Sequence, residues 1–194
     1  MRVGCSLEGL ISGVDEAGRG PVAGPLVSAC VVWYGLPEKN RLIKDSKLLT
    51  EKERERACEW IVKNAYRVGI GVSSVEEIES LNVLNATLLA MERAIEATGI
   101  SPNLILIDGN RKPLNYPEAK CVIRGDKRCF LIACASIVAK VTRDRIMGHY
   151  HELYPKYGFK RNKGYLTLEH KKAIEKEGIC PIHRRTFKGV KEFI

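Results

Sequence analysis

The sequence predicts an α/β protein that folds as one domain, with helices packed against a β-sheet. Short apolar, β-branched runs occur along the chain together with longer segments that begin at helix-capping residues. The 194 residues are 45% hydrophobic and 28% charged, and they contain no repeat and no low-complexity linker. This composition is typical of a compact globular protein and excludes the disordered and fibrous classes.

The first half of the chain predicts three strands and three helices. The strands cover residues 10–14, 23–34 and 66–72. The helices cover residues 51–65, 74–81 and 83–98. Two of these helices begin with capping boxes, Thr50 with Glu53 and Ser74 with Glu77, and Gly99 stops the third. The glycine-rich link between the first two strands predicts a tight or irregular connection.

The second half predicts two further strands and two clear helices. The strands cover residues 103–107 and 119–123, and the helices cover residues 130–150 and 167–177. The fourth strand ends at Asp108-Gly109 and the fifth at Gly125-Asp126. The complete order of elements therefore places acidic residues directly after buried strands.

The net charge of +9 is concentrated at the end of the chain. Residues 155–194 contain eleven Lys and Arg against four Asp and Glu, a net charge of +7. Such a segment is a candidate surface for binding a polyanion. The alternative is a solvated basic face with no binding role.

The sequence also predicts a cytoplasmic protein without a membrane segment. No apolar run approaches the ~18 residues of a membrane span, and residues 1–10 carry Arg2 and Glu8 without a signal-peptide core. The seven cysteines are an odd number and include no Cys-x-x-Cys pair. They predict buried or incidental thiols in a reducing compartment, not a zinc site.

Four acidic residues stand at or just beyond the carboxyl ends of predicted strands. Asp15 and Glu16 follow the first strand, Asp108 the fourth and Asp126 the fifth. If the first and fourth strands are parallel neighbours, and if the first strand frays at its end, three of these carboxylates converge at one edge of the sheet. Because such a cluster repels itself, it predicts a site for Mg²⁺ or Mn²⁺.

The glycine-rich segment over residues 18–24 does not fit a phosphate-binding loop. Its spacing is not Gly-x-Gly-x-x-Gly, it has no Gly-Lys-Ser/Thr, and a β-rich run follows it where a helix is required. Two interpretations remain open. The glycines either let the backbone approach a bulky partner or form a simple tight turn.

A longer pattern around these residues resembles the opening signature of bacterial ribonuclease HII. It covers residues 13–25, with the sequence GVDEAGRGPVAGP. Further stretches that resemble the family follow in the same order at residues 45–49, 82–91, 108–109, 125–126, 135–144, 162–165 with His170, and 183–187. The resemblance spans nearly the whole chain, and Leu166 is a departure from it, because the family commonly has glycine there.

The resemblance implies a ribonuclease H-like fold, with a five-stranded mixed sheet flanked by helices and a helical C-terminal part. It implies a catalytic core over residues 1–154, with the basic residues 155–194 packed on that core as a substrate-binding part. The implied activity is hydrolysis of the RNA strand of RNA/DNA hybrids. It includes nicking of duplex DNA 5′ of embedded ribonucleotides, a step of ribonucleotide excision repair, which leaves 3′-hydroxyl and 5′-phosphate ends. We expect a monomer, and the sequence does not indicate protein partners.

The resemblance also implies the residues of the site. The catalytic and metal-binding acids fall on Asp15, Glu16, Asp108 and Asp126, and they would hold two Mg²⁺ or Mn²⁺ ions, with Asp15 between them. The motif that senses the ribose 2′-hydroxyl falls on Gly18, Arg19 and Gly20. The tyrosine that stacks at the RNA–DNA junction falls on Tyr165.

Several further side chains are candidate contacts to substrate phosphates. They are Lys47, Asn85, Ser136, Lys140 and Arg143. Residues 136, 140 and 143 share one helical face because their spacings are four and three. The alternative for Lys140 and Arg143 is an ion pair with Asp144 or another acid. His170 and His183 are expected to be structural hydrogen-bonding groups, and the alternative is a mobile histidine near the metals that assists product release.

Two other classes of protein remain as alternatives. A DDE-type strand-transfer enzyme shares the fold and an acidic metal site, but the Gly18-Arg19-Gly20 motif and Tyr165 favour a ribose-sensing hydrolase. A non-catalytic nucleic-acid-binding protein would have the basic end without requiring four acids at strand ends.

Overall fold

The computed structural model describes residues 9–38 and 40–194, and of Lys47 it describes the backbone alone. Five strands form one sheet in the order β3-β2-β1-β4-β5. The strands are β1 (Leu10–Ala17), β2 (Leu26–Tyr34), β3 (Arg67–Ser73), β4 (Leu104–Asp108) and β5 (Lys120–Val122). Strands β1, β2 and β3 pair antiparallel, whereas β4 is parallel to both β1 and β5. The predicted five-stranded mixed sheet is therefore confirmed.

The described part of the chain contains six α-helices. They are α1 (Glu51–Asn64), α2 (Val75–Glu96), α3 (Gly125–Arg128), α4 (Phe130–Leu153), α5 (Phe159–Asn162) and α6 (Leu168–Glu177). The capping boxes of Thr50 and Ser74 are both formed, at the starts of α1 and α2. Asn82, with φ of 67°, breaks α2 at the point that separates two of the predicted helices.

The two faces of the sheet are covered by different helices. Apolar side chains of α1 and α4 pack on one face, around Ile11 and Val31. Side chains of α2 pack on the other face, around Val14 and Cys30. The start of α4 lies directly against β1, because a Cβ placed on Gly13 would lie 2.2 Å from the backbone carbonyl of Leu131. This close approach brings the end of β1 beside α4.

The basic C-terminal residues share a hydrophobic core with the rest of the chain. Phe159, Ile174 and Val190 pack with Val22 of the loop after β1 and with Met147 of α4. Residues 155–194 therefore do not form a separate apolar core. Their role as a substrate-binding part stays a prediction.

Two further observations concern the helices and the cysteines of the described residues. None of the described helices combines the length and apolarity that a membrane span requires. Six cysteines are described, all of them free, and four of these are buried. Cys5, Arg2 and Glu8 lie outside the described residues.

Candidate active site

A cavity of about 260 Å³ opens where β1 and β4 end. All four predicted acids line it: Asp15, Glu16, Asp108 and Asp126. The other lining residues are Ala17, Gly18, Arg19, Gly20, Ser46, Ser136, Lys140, Arg143 and Tyr165. Parallel neighbours β1 and β4 thus bring together residues that are separated by about half of the chain.

The end of β1 differs from the expected fraying. The strand continues through Asp15 and Glu16 to Ala17, still paired with β2, whereas its pairing with β4 ends at Val14. In a regular strand adjacent side chains leave on opposite faces. Asp15 accordingly bonds to Ser136 of α4, and Glu16 lines a second cavity together with Leu88 of α2. Both carboxylates still reach the cavity, because β4 no longer covers this edge.

Asp15 is a buried carboxylate, with 5% of its surface exposed. The Glu16 backbone N–H donates to its Oδ1 at 2.7 Å, and Ser136, whose Oγ lies 3.0 Å from that of Ser46, bonds to it as well. Burial raises the pKa of Asp15 well above its usual range, and the charges of Glu16 and Asp108 raise it further. The site is therefore electrostatically strained when no cation neutralises it.

Glu16 and Asp108 are held by different partners. Arg19 Nη1 lies 3.6 Å from Glu16 Oε1, although burial still raises the pKa of Glu16. Asp108 Oδ1 accepts a hydrogen bond of 2.6 Å from the Gly125 N–H, at the start of α3. That bond ties the end of β4 to the turn that carries Asp126. Asp126 itself belongs to the four-residue α3, which follows β5.

The donor set suits a hard divalent cation. Carboxylate oxygens are the ligands that Mg²⁺ and Mn²⁺ prefer. Among the described side chains, no three His, Cys, Asp or Glu converge as a ready cage for one ion. A complete protein cage is not required for such an ion, since Mg²⁺ is commonly bound by one or two carboxylates together with water and substrate phosphate.

Two buried arginines hold the loop between β1 and β2. Arg143 donates to the carbonyls of Pro25 (3.0 Å) and Ala23 (3.1 Å), and also to Lys163 (2.8 Å). Arg184 donates to the carbonyls of Gly18 (2.6 Å), Arg19 (3.2 Å) and Gly24 (2.8 Å). Both side chains are almost fully buried. They fix the path of the Gly18-Arg19-Gly20 segment at the rim of the cavity.

These contacts correct one predicted phosphate contact. Arg143 is 1% exposed and its donors are engaged by backbone carbonyls, so it is a structural residue of the loop. Lys140 lines the cavity but pairs with Asp144, at 2.7 Å, as the alternative interpretation expected. Ser136 lines the cavity and bonds to Asp15, a role that the sequence did not indicate.

The other predicted substrate contacts divide into two groups. Tyr165 is 49% exposed and lines the cavity, and a Cβ placed on Gly20 would lie 3.5 Å from its ring. The neighbouring Leu166 turns toward Gly189, away from the cavity. Asn85 is exposed on α2 and does not line the cavity. The Lys47 side chain lies outside the described part of the structure, in a 3-10 turn that begins with the cavity residue Ser46.

Sequence reasoning missed two residues of this site, Ser46 and Arg184. Ser46 precedes Lys47 in a stretch that resembles the family, and Arg184 lies in another. That resemblance was the available signal. The carbonyl partners of Arg184 are more than 150 residues away in the chain, so no local pattern indicates them.

The chain is similar to known proteins over nearly its whole length. A family model described as Ribonuclease HII matches residues 12–190. Ribonuclease HII of Thermotoga maritima is 47% identical over 186 residues, which cover 96% of this chain and 76% of that protein. Ribonuclease H2 from Pyrococcus horikoshii is similar in structure, with a TM-score of 0.74 and 29% identity over 95% of this chain and 96% of that one. Bst-RNase HIII, solved in complex with Mn²⁺, shares the fold with a TM-score of 0.67 and 17% identity, over 94% of this chain and 68% of its own. The chain belongs to the ribonuclease HII family and is a metal-dependent endoribonuclease.

Proposed function

We propose that this protein hydrolyses the RNA strand of RNA/DNA hybrids and nicks duplex DNA on the 5′ side of an embedded ribonucleotide. The products are a 3′-hydroxyl and a 5′-phosphate. One observation carries the proposal: the acidic cluster and the Gly18-Arg19-Gly20 segment share one cavity with the half-exposed ring of Tyr165. A simple metal-dependent hydrolase does not require the last two features.

The four acids are the proposed metal ligands. Two divalent cations, when bound, supply a water of lowered pKa as nucleophile and stabilise the leaving 3′-oxygen. Asp15 would be held in common by both ions, because its carboxylate is buried and lies in the field of both Glu16 and Asp108. Ser136 orients Asp15, and the Gly125 N–H orients Asp108.

The glycine segment is the proposed ribose sensor. Gly18 has φ of +107°, and a Cβ there would lie 2.3 Å from Arg143 Nε, so a side chain cannot be accommodated. Gly20 faces the ring of Tyr165 at the open rim, where the absence of a side chain lets a sugar approach the backbone. The carbonyls of Gly18 and Arg19 are already bonded to Arg184, which fixes this segment before substrate binds.

Tyr165 is the proposed stacking residue at the junction. Its ring lies at the cavity rim, and the surrounding residues 155–194 carry most of the net positive charge. Base or sugar stacking on an aromatic ring contributes about 1–3 kcal/mol, and basic side chains contribute phosphate contacts that depend on salt. Residues 155–194 are therefore the proposed substrate-binding part of the protein.

A nicking assay tests the proposal. The substrates are a DNA duplex with one ribonucleotide, the same duplex without it, and an RNA/DNA hybrid, each with Mg²⁺, Mn²⁺ or EDTA. We expect cation-dependent cleavage 5′ of the lone ribonucleotide and within the hybrid, and no cleavage of the all-DNA duplex. Asp108→Asn and Asp126→Asn should lose nearly all cleavage while they still bind duplex.

The outcomes separate the alternative functions. Joining of strand ends would indicate a strand-transfer enzyme, and binding without cleavage under every cation condition would indicate a non-catalytic nucleic-acid-binding protein. Cleavage of the hybrid without cleavage at the lone ribonucleotide would support the ribonuclease activity and contradict the proposed recognition of the junction.

A further inference from the structure

Two histidines form a buried pair beneath the loop that carries Tyr165. His170 of α6 and His183 are 0% and 1% exposed, and their Nε2 atoms lie 3.0 Å apart. The rings of Tyr157 and Phe159 pack edge-on against them, at centroid distances of 4.9 Å to His183 and 5.3 Å to His170. The aromatic rings keep water away from the contact between the two imidazoles.

The neighbours of this pair assign the position of each proton. The Cys180 backbone N–H donates to His183 Nδ1 at 2.9 Å, whereas the Cys180 carbonyl oxygen lies farther from that nitrogen, at 3.3 Å, so we assign His183 Nδ1 as an acceptor. The proton of neutral His183 is then on Nε2 and is donated to His170 Nε2. The proton of neutral His170 is consequently on Nδ1, which lies 2.9 Å from the carbonyl oxygen of Tyr165. Hydrogen bonds thus run in one direction, from Cys180 to Tyr165.

Both histidines are in the neutral form that this order requires. Burial lowers the pKa of His170 below its ordinary value. Burial also lowers the pKa of His183, to about 4, with a further contribution from the neighbouring His170. Because a charged imidazole donates from both nitrogens, protonation of either ring would break one bond of the series.

The His183 end of this series of hydrogen bonds lies next to the loop that contains Gly18-Arg19-Gly20. His183 pairs with Ala23 in an isolated β-bridge, and the next residue, Arg184, donates to the carbonyls of Gly18 and Arg19. At the other end of the series, the Tyr165 carbonyl accepts a second hydrogen bond, from the Thr167 N–H at 2.8 Å. His183 and Arg184 therefore link His170, which bonds to the Tyr165 carbonyl, to the carbonyls of the glycine segment.

We propose that His170 is a positioning residue for recognition of the ribonucleotide junction, acting through the hydrogen bond from its Nδ1–H to the Tyr165 carbonyl and supported by His183. The pair fixes the Tyr165 backbone relative to Gly18-Arg19-Gly20. This inference rests on the proposed stacking role of Tyr165. Neither histidine lines the cavity, so neither acts on the reacting atoms.

Two substitutions at position 170 separate this role from simple packing. The amide nitrogen of Asn lies near the position of imidazole Nδ1, so His170→Asn can still donate to Tyr165. The amide of Gln extends toward the position of Nε2, so His170→Gln keeps the contact with His183 and loses the donor to Tyr165. Both replacements bring a buried amide of similar polarity, which makes them matched controls for folding.

The readout is the ratio of kcat/KM for a DNA duplex with one ribonucleotide to kcat/KM for an RNA/DNA hybrid, measured for folded samples below their thermal transitions. A ring displaced by ~1 Å can cost about a hundredfold at the reacting centre. We expect His170→Gln to lower the ratio by about tenfold to a hundredfold. We expect His170→Asn to restore it to within about threefold of the wild-type ratio. In a Tyr165→Ala background, His170→Gln should lower the ratio no further.

The outcomes distinguish this inference from the proposed function. If Tyr165→Ala lowers the ratio but His170→Gln and His170→Asn both leave it at the wild-type value, the positioning role is wrong and the stacking role stands. Equal slowing of both substrates by the two His170 variants, with a matching loss of melting temperature, would mean that the pair only supports the fold. If Tyr165→Ala itself leaves the ratio unchanged, both proposals fail.

Discussion

Replacing Asp15 by Asn should make the metal-free protein more stable and remove its stabilisation by divalent cations. Asp15 is buried, with 5% of its surface exposed, and lies in the field of Glu16 and Asp108. Burial and these two charges raise the pKa of its carboxyl. Asn keeps the acceptor for the Glu16 N–H and can keep the bond to Ser136, so the substitution removes charge with little change in packing.

The sign of the effect follows from proton linkage. A carboxyl whose folded-state pKa is raised binds a proton more tightly in the folded chain than in the unfolded chain. The stability it contributes is therefore greatest at acidic pH and is lost as the pH rises from the unfolded value, about 3.9, through the folded value. Each unit of difference is worth about 1.4 kcal/mol. For a chain of this length, 1 kcal/mol shifts Tm by about 2–4 °C, so we expect Asp15→Asn to melt at least that much higher at pH 7.5 in EDTA.

Divalent cations should reverse the order of stability. A cation that binds the folded state alone, at a hundred times its Kd, stabilises by about 2.7 kcal/mol, equivalent to roughly 5–11 °C for this chain. Wild type should gain this shift in Mg²⁺ or Mn²⁺, whereas Asp15→Asn should gain little. Thermal melting in EDTA and across a cation series measures both effects in one experiment.

Asp144→Asn is the matched control. Asp144 is 6% exposed and lies on α4, but it pairs with Lys140 at 2.7 Å and does not line the cavity. Its replacement should lower Tm in EDTA and leave the cation response intact. If Asp15→Asn instead melts lower than wild type in EDTA and keeps the full cation shift, the repulsion argument and the assignment of Asp15 as a ligand are both refuted.

The sequence could predict the acidic cluster because its cause is simple and general. Carboxyl ends of parallel strands gather at one edge of a sheet, and Asp15 and Asp108 each follow an apolar run. The starts of α1 and α2 could also be predicted from the sequence, since the capping boxes at Thr50 and Ser74 are local patterns of four residues. The sequence also predicted helical segments on both sides of residue 82, but it did not indicate the positive φ of Asn82 that breaks α2 there.

Other features of the site depend on contacts that are distant in sequence. The length of β1 was underestimated, because polar Asp15 and Glu16 end the apolar run while pairing with β2 continues through Ala17. Arg143 was expected among the phosphate contacts, yet its guanidinium is buried against carbonyls as far as 120 residues away. A sequence shows the charge of an arginine but not the carbonyls that satisfy it.

The net charge of the basic C-terminal residues likewise does not show which of their side chains face solvent. A net charge of +7 over residues 155–194 predicts an outer, polyanion-binding face. The structure places one of these charges, Arg184, inside, where it bonds to the carbonyls of Gly18, Arg19 and Gly24. Removing the whole segment would therefore expose the Val22 and Met147 core and release the glycine segment. A truncated chain would confuse loss of binding with loss of folding, so point substitutions are the better test.

Two further predictions concern the loop and the histidine pair. Gly18→Ala should strongly destabilise the protein, because its Cβ would lie 2.3 Å from Arg143 Nε at φ of +107°. Gly20→Ala, whose Cβ would have no atom nearer than 3.5 Å, should fold normally and cleave the lone ribonucleotide more slowly. Melting and nicking assays compare the two variants. The second prediction is that the stability difference between wild type and His183→Gln shrinks as the pH falls. The pKa of folded His183 is lowered from 6.5 to about 4, so the unfolded chain binds a proton between these values that the folded chain does not. Wild type is thus fully stabilised above pH 6.5 and loses up to about 1.4 kcal/mol per pH unit below it, a dependence that Gln lacks. Urea unfolding from pH 7.5 to 4.5 measures the difference, and a constant value across this range would show that His183 is not held neutral in the folded protein.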